Sequence, residues 1–232
     1  DFMFGTWGPQ DLTELQKNMR FFGMEPLGKG PVRFYDIQKL FSIAYEDQKV
    51  RRSLEYAVDY LQIPKDIPFH RAISDAVYTA RVFQMIKDPI ALQRVSFDTF
   101  QLPENHRSEV HVVFDNYAKY ISRLFPDKEA LMADKEVLST RCYLCHHNLR
   151  KKVRWFSPNG KHYYSLSWCD KHGWMKGKIR VKKAEDDMVY AVKTTKLVGE
   201  KEVAALMERK DHIRQLRKEH RHREAQEKLG KR

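Results

Sequence analysis

Apolar positions near the start of the chain alternate between strand-like and helix-like spacing. Residues 2–8 form an aromatic, apolar run that predicts a short buried strand, and within 11–22 apolar residues recur every three or four positions, as in an amphipathic helix. A strand followed by a helix is predicted again for 32–45, and further helices for 53–63 and 70–87. Strands that alternate with helices predict an α/β domain in which helices cover a sheet.

The pattern weakens over residues 89–140. A strand is predicted for 94–102, a helix for 112–125 and a short helical piece for 127–137. We interpret this segment as a helical connector that packs on the domain formed by residues 1–88.

Residues 141–197 have the spacing of β-structure. Two β-prone runs, 151–157 and 161–168, flank a Pro-Asn-Gly turn at 158–160, which is a strong hairpin signal. Two more such runs flank an acidic turn at 185–187. The pattern predicts a small β-rich module.

The charge of the chain is strongly segregated. Residues 1–140 contain 18 Lys and Arg against 20 Asp and Glu, whereas 141–232 contain 25 against 11, so the net charge of +12 arises in the C-terminal part. A localised positive field attracts polyanions, because cations that neutralise phosphates release counterions. This favours a nucleic-acid partner, although a basic block can also be a solvated surface. Residues 198–232 are predicted to form a basic helical tail.

The three cysteines lie within 28 residues and are followed by a histidine at ligand spacing. An odd number argues against a disulfide framework and for a metal site, with free thiols as the alternative. The pattern CxxC, 23 residues, CxxH places the turn at 158–160 near the middle, as a zinc ribbon requires. His146, His147 and His162 fit the spacing less well. The predicted ligands of a structural zinc ion are Cys142, Cys145, Cys169 and His172.

Basic and aromatic residues are interleaved around these cysteines. Eleven Lys and Arg and six aromatic residues lie between positions 150 and 183. Aromatic planes can stack on bases while cations contact phosphates, although the same aromatic residues can instead form the core of the ribbon. The residues expected to bind nucleic acid are Arg150, Lys151, Lys152, Arg154, Trp155, Lys161, Tyr163 and Trp174.

Two motifs in the first 87 residues belong together. One is HxxxxDAxxTA, which begins at His70 and includes Asp75, and the other is TWGPQD at 6–11, where an aspartate lies between a strand and a helix. This combination resembles the second half of the DEDDh family of 3′–5′ exonucleases, which includes RNase T, oligoribonuclease and proofreading subunits. Residues 6–11 are most similar to the Eri-type RNA exonucleases. The resemblance implies an RNase H-like mixed sheet with flanking helices, incomplete in its first strands.

The resemblance also implies roles for three residues. Asp11 and Asp75 would be ligands of Mg²⁺ or Mn²⁺ in a two-metal site, and His70 would take the proton from the attacking water. Taken singly, Asp11 would more often be a helix cap and His70 a turn residue. The family's first motif, Asp-x-Glu on the first strand, has no counterpart in the chain, and Asp1 is not a substitute. We therefore expect a piece of a longer enzyme that is inactive alone.

These patterns support one hypothesis and two rivals. We expect a 3′–5′ exonuclease that acts on RNA slightly more readily than on DNA. The first rival is a non-catalytic, zinc-containing nucleic-acid-binding protein on an exonuclease scaffold, and the second is an adaptor whose ribbon binds another protein. The chain contains no apolar run long enough for a membrane span and no leader, so we expect a cytoplasmic location.

Overall fold

The computed structural model describes residues 2–47 and 50–230 of the chain. The chain divides into two compact units, Asp1–Glu104 and Asn105–Arg232. The described residues form two sheets and seven helices, so the chain is mixed α/β. The sequence places boundaries after residues 88, 140 and 197, and the observed division coincides with none of them.

Within the described residues, the first unit consists of three strands and five helices. In chain order these are β1 (Phe4–Thr6), α1 (Asp11–Phe21), β2 (Val32–Asp36), α2 (Ile37–Tyr45), α3 (Leu54–Tyr60), α4 (Ala72–Met85), α5 (Pro89–Leu92) and β3 (Ser96–Asp98). The sheet has the order β1-β2-β3, with β1 and β2 parallel and β3 antiparallel to β2. The unit extends beyond residue 88 because β3 completes this sheet.

Side-chain caps begin two of the helices that form the core of this unit. Asp36 accepts a hydrogen bond from the N–H of Lys39 at the start of α2, and Ser53 accepts one from the N–H of Tyr56 at the start of α3. The apolar faces of α2, α3 and α4 pack together in one core, in which Phe41 is fully buried.

A buried polar contact joins α1 to β3. Asp98 is 5% exposed and accepts hydrogen bonds from Thr13 Oγ1 at 2.7 Å and from Gln16 Nε2 at 2.6 Å. A buried carboxylate is costly unless its oxygens are satisfied, and these donors satisfy them. The contact therefore fixes the position of α1, and with it that of Asp11, relative to the sheet.

The second unit is built around a six-stranded antiparallel sheet. Its elements are β4 (Val110–Phe114), β5 (Tyr117–Ile121), α6 (Lys128–Ala133), β6 (Arg150–Phe156), β7 (His162–Cys169), β8 (Gly173–Lys183), β9 (Val189–Leu197) and α7 (Glu200–Gly230), with one-turn 3₁₀ helices at His106–Ser108 and Glu185–Asp187. The strand order is β4-β5-β9-β8-β7-β6. Both hairpins predicted within 141–197 are present, as β6–β7 and β8–β9.

The helix predicted for 112–125 is wrong, because this segment forms the β4–β5 hairpin. Phe114 pairs with Tyr117, so the turn contains only Asp115 and Asn116. Two turn-forming residues between alternating apolar positions are a hairpin signal, which the helical interpretation missed. Since β5 also pairs with β9, the segment belongs to the sheet of the second unit and is not a helical connector.

The two faces of this sheet are covered differently. On one face, α6 and the segment after it bury Phe125, Leu131 and Val137 against β8 and β9. On the opposite face, α7 packs Val203 and Leu206 over β6 and β7. The part of that second face formed by β8 carries lysine and arginine side chains.

Substitution of Gly177 tests the packing at the centre of β8. A Cβ at this position would lie 2.5 Å from Trp155 Cη2 and 2.5 Å from Ser165 Oγ. Gly177→Ala should therefore lower the free energy of unfolding by about 1–3 kcal/mol, measured by urea denaturation. Gly30→Ala is the control, since a Cβ at Gly30 meets nothing within 4 Å. Equal stability of the two variants would contradict the packing.

The buried Lys193 leads to a second prediction, which concerns how the stability of the fold depends on pH. Burial lowers the pKa of this ammonium group from 10.5 to about 8, and nearby carboxylates offset only part of the change. Between these values the unfolded chain holds a proton that the folded chain has released, so stability should rise with pH from 8 towards 10.5. The rise contributed by Lys193 should be about 2 to 3 kcal/mol.

The control for this prediction separates Lys193 from other titrating groups. In Lys193→Met, the free energy of unfolding should not show this rise with pH. In Lys183→Met, which changes an exposed lysine, the rise should remain. Unfolding free energies from pH 7 to 10 provide the measurement. A wild-type pH profile in Lys193→Met would refute the assignment.

Candidate functional site

The predicted zinc ligands come together at one end of the six-stranded sheet. Their ligand atoms all lie within 4.8 Å of one another. Cys145 Sγ is 3.6 Å from Cys169 Sγ, and His172 Nδ1 is 3.5 Å from Cys142 Sγ and 3.6 Å from Cys169 Sγ. A tetrahedron of ligands around zinc, with Zn–S bonds near 2.3 Å, has edges of about 3.8 Å. The Cys₃His cluster could therefore bind a zinc ion.

Local backbone structure positions each pair of ligands. The N–H of Cys142 donates to His147 O and the N–H of His146 donates to Cys142 O, both at 2.9 Å, which closes a tight turn around the first pair. The second pair lies between β7 and β8, where Gly173 has φ of 85°. This value favours glycine, so the residue after His172 allows the sharp turn that the site needs.

The electrostatics at Cys169 favour a thiolate. Burial raises the pKa of this thiol, but the N–H groups of Lys171 and His172 and the His172 ring lower it more, so that it falls to about 6. Thiolates are the form in which cysteine binds zinc. Of the substitutes that the sequence offers, His146 and His147 are exposed and His162 contacts Asn159, and the described cluster contains none of them.

The residues of the exonuclease resemblance lie at the starts of two helices. Asp11 is the first residue of α1, the helix that comes after β1, and Asp75 is in the first turn of α4. The N–H of His70 donates to Asp75 Oδ1 at 3.3 Å, and His70 has φ of 65°, a left-handed conformation that few residues other than glycine adopt. In the ranges that the structure describes, these three residues are not part of a cluster of three or more potential metal ligands.

Asp36 is a third carboxylate near this region, and from the sequence we assign it no catalytic role. It is the last residue of β2, which runs parallel to β1, and it is 6% exposed. Desolvation raises the pKa of Asp11, although that residue as a whole is exposed, and the negative charge of Asp36 raises it further. The signal that could have identified Asp36 is its place at the carboxyl end of a strand parallel to β1.

The basic residues expected to bind nucleic acid lie on an edge strand. Arg150, Lys151, Lys152 and Arg154 are exposed on β6, which is the last strand of the sheet, and Lys161 is exposed in the turn before β7. The Arg150 guanidinium is 3.2 Å from the Asp170 carboxylate on the surface.

The aromatic residues of the same prediction make intramolecular contacts. Trp155 Nε1 donates to Leu138 O at 3.1 Å, and Tyr163 packs in the same core. Trp174 is half-buried and meets Trp168 edge-on, with ring centroids 5.2 Å apart. These rings are therefore used in packing, as in the alternative interpretation of the sequence.

No protein-family model, curated protein or solved structure matches the chain. Within the described ranges, no helix combines the length and the apolar character that crossing a membrane requires.

Removal of one zinc ligand tests the cluster. Cys145→Ser should lower the bound zinc, measured by metal analysis of the purified protein, and should destabilise the second unit, because structural zinc contributes directly to folding. His146→Asn is the matched control, since asparagine tolerates the positive φ of 59° at that position and the histidine lies outside the cluster. Unchanged zinc in Cys145→Ser would exclude this ligand set.

Proposed function

We propose that the first unit is part of a DEDDh-type 3′–5′ exonuclease domain and that the second unit holds the nucleic acid. One observation supports the proposal. Asp36 is the last residue of β2, Asp11 begins the helix that follows the parallel strand β1, and α4, which bears Asp75, packs against β1. Ligand sites in open α/β sheets lie at such strand ends.

The carboxylates fit a divalent cation in their chemistry. Mg²⁺ and Mn²⁺ prefer carboxylate oxygens. Burial is the main cause of the raised pKa of Asp11, and the negative charge of Asp36 adds to it, so that a cation would stabilise both carboxylates. Asp11 and Asp75 would hold metal, which would activate water and stabilise the leaving oxygen. His70, whose backbone N–H donates to Asp75 Oδ1, would accept the proton from that water with its imidazole ring.

Two further carboxylates are needed for a metal pair. Among the described strands, β1 pairs only with β2, and a further strand would have to pair with its other edge. The resemblance implies Asp-x-Glu on such a strand. The activity therefore depends on residues that the 232 positions of this chain do not supply.

For the second unit, the proposal is a zinc ribbon that supports a nucleic-acid surface. The first ligand pair precedes β6 and the second follows β7, so the β6–β7 hairpin lies between them, as in a ribbon. Four protein ligands leave no open position for chemistry. The zinc ion would thus stabilise the fold and would take no part in hydrolysis.

The test uses a version of the protein that carries Asp-x-Glu on a strand ahead of residue 1. His70→Asn, in which asparagine tolerates the left-handed backbone, should slow Mg²⁺-dependent shortening of a 5′-labelled single-stranded RNA by about 10²–10⁴-fold, because the general base is lost. Asp75→Asn should lose activity as well. Product ladders resolved on a gel provide the rates.

Asp115→Asn, in the β4–β5 turn, is the control and should shorten the RNA at the wild-type rate. Wild-type rates in both His70→Asn and Asp75→Asn would exclude the exonuclease assignment. The rate with a single-stranded DNA of the same sequence, compared with the rate for RNA, gives the preference between the two nucleic acids.

A non-catalytic nucleic-acid-binding protein is the second candidate. The observation that favours it is that Asp11, His70 and Asp75 do not form a three-ligand cluster among the described residues. This candidate predicts RNA binding without divalent-dependent cleavage, even when the Asp-x-Glu strand is present.

A further inference from the structure

Four basic residues occupy alternate positions along β8, near the centre of the six-stranded sheet. Because side chains alternate between the two faces of a strand, all four project from the face opposite to the buried Met175 and Ile179. Successive members are about 7 Å apart, and the whole set spans about 20 Å. We call these residues the β8 cation row: Lys176, Lys178, Arg180 and Lys182.

A helix adds another cation beside the β8 cation row. Arg209 of α7 lies over the ring of Tyr164, with its Cζ 4.8 Å from the ring centroid. Tyr164 is directly opposite Lys178 in the β7–β8 ladder, and His162 is opposite Arg180. The sheet register therefore brings residues that are distant in sequence into one basic surface.

The positive charges on this surface are poorly compensated. Desolvation lowers the pKa of Lys178, and the neighbouring Arg180 and Arg209 lower it further. Desolvation and four surrounding cations, which include the same two arginines, also lower the pKa of His162. Among the described residues, no salt bridge involves Lys178, Arg180 or Arg209.

Carboxylates lie near the two ends of the β8 cation row. At one end, the charge of Glu202 raises the pKa of Lys176, and Glu202 also forms a salt bridge with Lys196 at 2.7 Å. At the other end, an acidic turn follows the strand, and Asp187 lies 3.6 Å from Lys183. Like charges about 7 Å apart along the strand repel one another, and a bound polyanion would remove this repulsion at the centre of the row.

We propose that the β8 cation row and Arg209 bind the phosphate backbone of single-stranded nucleic acid. The row is straight and places its cations about 7 Å apart, so one strand of nucleic acid that lies along β8 could contact them with its phosphates. The proposal rests on the nucleic-acid-binding role of the second unit. It moves the contact from the edge strand β6, which the sequence favours, to the partly exposed basic face of β8.

The binding experiment removes three charges from the centre of the surface. In the full chain, Lys178→Gln, Arg180→Gln and Arg209→Gln are combined, and binding of a fluorescein-labelled single-stranded RNA is followed by anisotropy at several salt concentrations. We expect Kd to rise by about tenfold or more near 0.1 M salt. The slope of log Kd against log salt should fall by about 2, because three phosphate contacts are lost.

A control variant that loses the same number of charges elsewhere shows whether RNA binding depends on the β8 surface or only on the net charge of the protein. Arg107→Gln, Lys135→Gln and Arg141→Gln are combined at exposed positions of the second unit outside the β8 cation row. This variant should bind RNA with a Kd and a salt slope close to those of the wild type. An equal weakening by both triple variants, or wild-type binding by the first, would overturn the proposal.

Further measurements distinguish a lost phosphate contact from a lost fold. Zinc content and the urea midpoint report whether the triple variant is folded. If it is not folded, the single variant Arg209→Gln replaces it and should also raise the Kd for RNA. Displacement of RNA by polyglutamate at equal charge would overturn the nucleic-acid assignment. Loss of binding in the triple variant, together with wild-type rates in both His70→Asn and Asp75→Asn, would instead refute only the exonuclease assignment.

Discussion

The alternation of side chains along β8 is the constraint on which the second unit depends. One set of alternate residues, which includes Met175, Gly177 and Ile179, faces a close-packed core, and the other set is basic. Because the period of a strand is two, a shift of one residue would bury the cations and expose the core. Eleven residues of β8 pair with two neighbouring strands, and this pairing fixes the register.

The Cys₃His cluster constrains the same sheet from its end. One ligand pair precedes β6 and the other joins β7 to β8, so a bound zinc ion would tie the edge of the sheet to its centre. The long helix α7 covers β6 and β7 on the basic face and leaves the β8 cation row beside it. The metal cluster, the core and the basic face are thus consequences of one strand arrangement.

In the first unit, a single buried contact positions the start of a helix. Asp98 joins α1 to the sheet, and the start of α1 carries Asp11 beside the carboxyl end of β1. The left-handed backbone at His70 has a comparable effect, since it lets the N–H of that residue reach the Asp75 carboxylate. Unusual backbone conformations that the surroundings maintain are often found at functional sites.

The sequence by itself determined the local features of this protein. Caps such as Ser53, the helical spacing up to residue 87 and the two hairpins after residue 141 depend on neighbours in the chain, and they could be predicted for that reason. The four residues of the Cys₃His cluster, which could bind a metal ion, were predicted from their spacing alone. The hairpin at 110–121 was missed, because apolar residues in a short segment fit both periods, and pairing with β9 decides between them.

Only the tertiary structure decided which basic and aromatic residues share a surface. Trp155 and Tyr163 lie in the core, while Arg209 stands beside Lys178, although 31 positions separate these two residues. The same holds for Asp36, whose effect on Asp11 arises from the parallel pairing of β1 and β2. Such proximities come from strand register and helix packing, which join distant segments, and local sequence patterns do not contain that information.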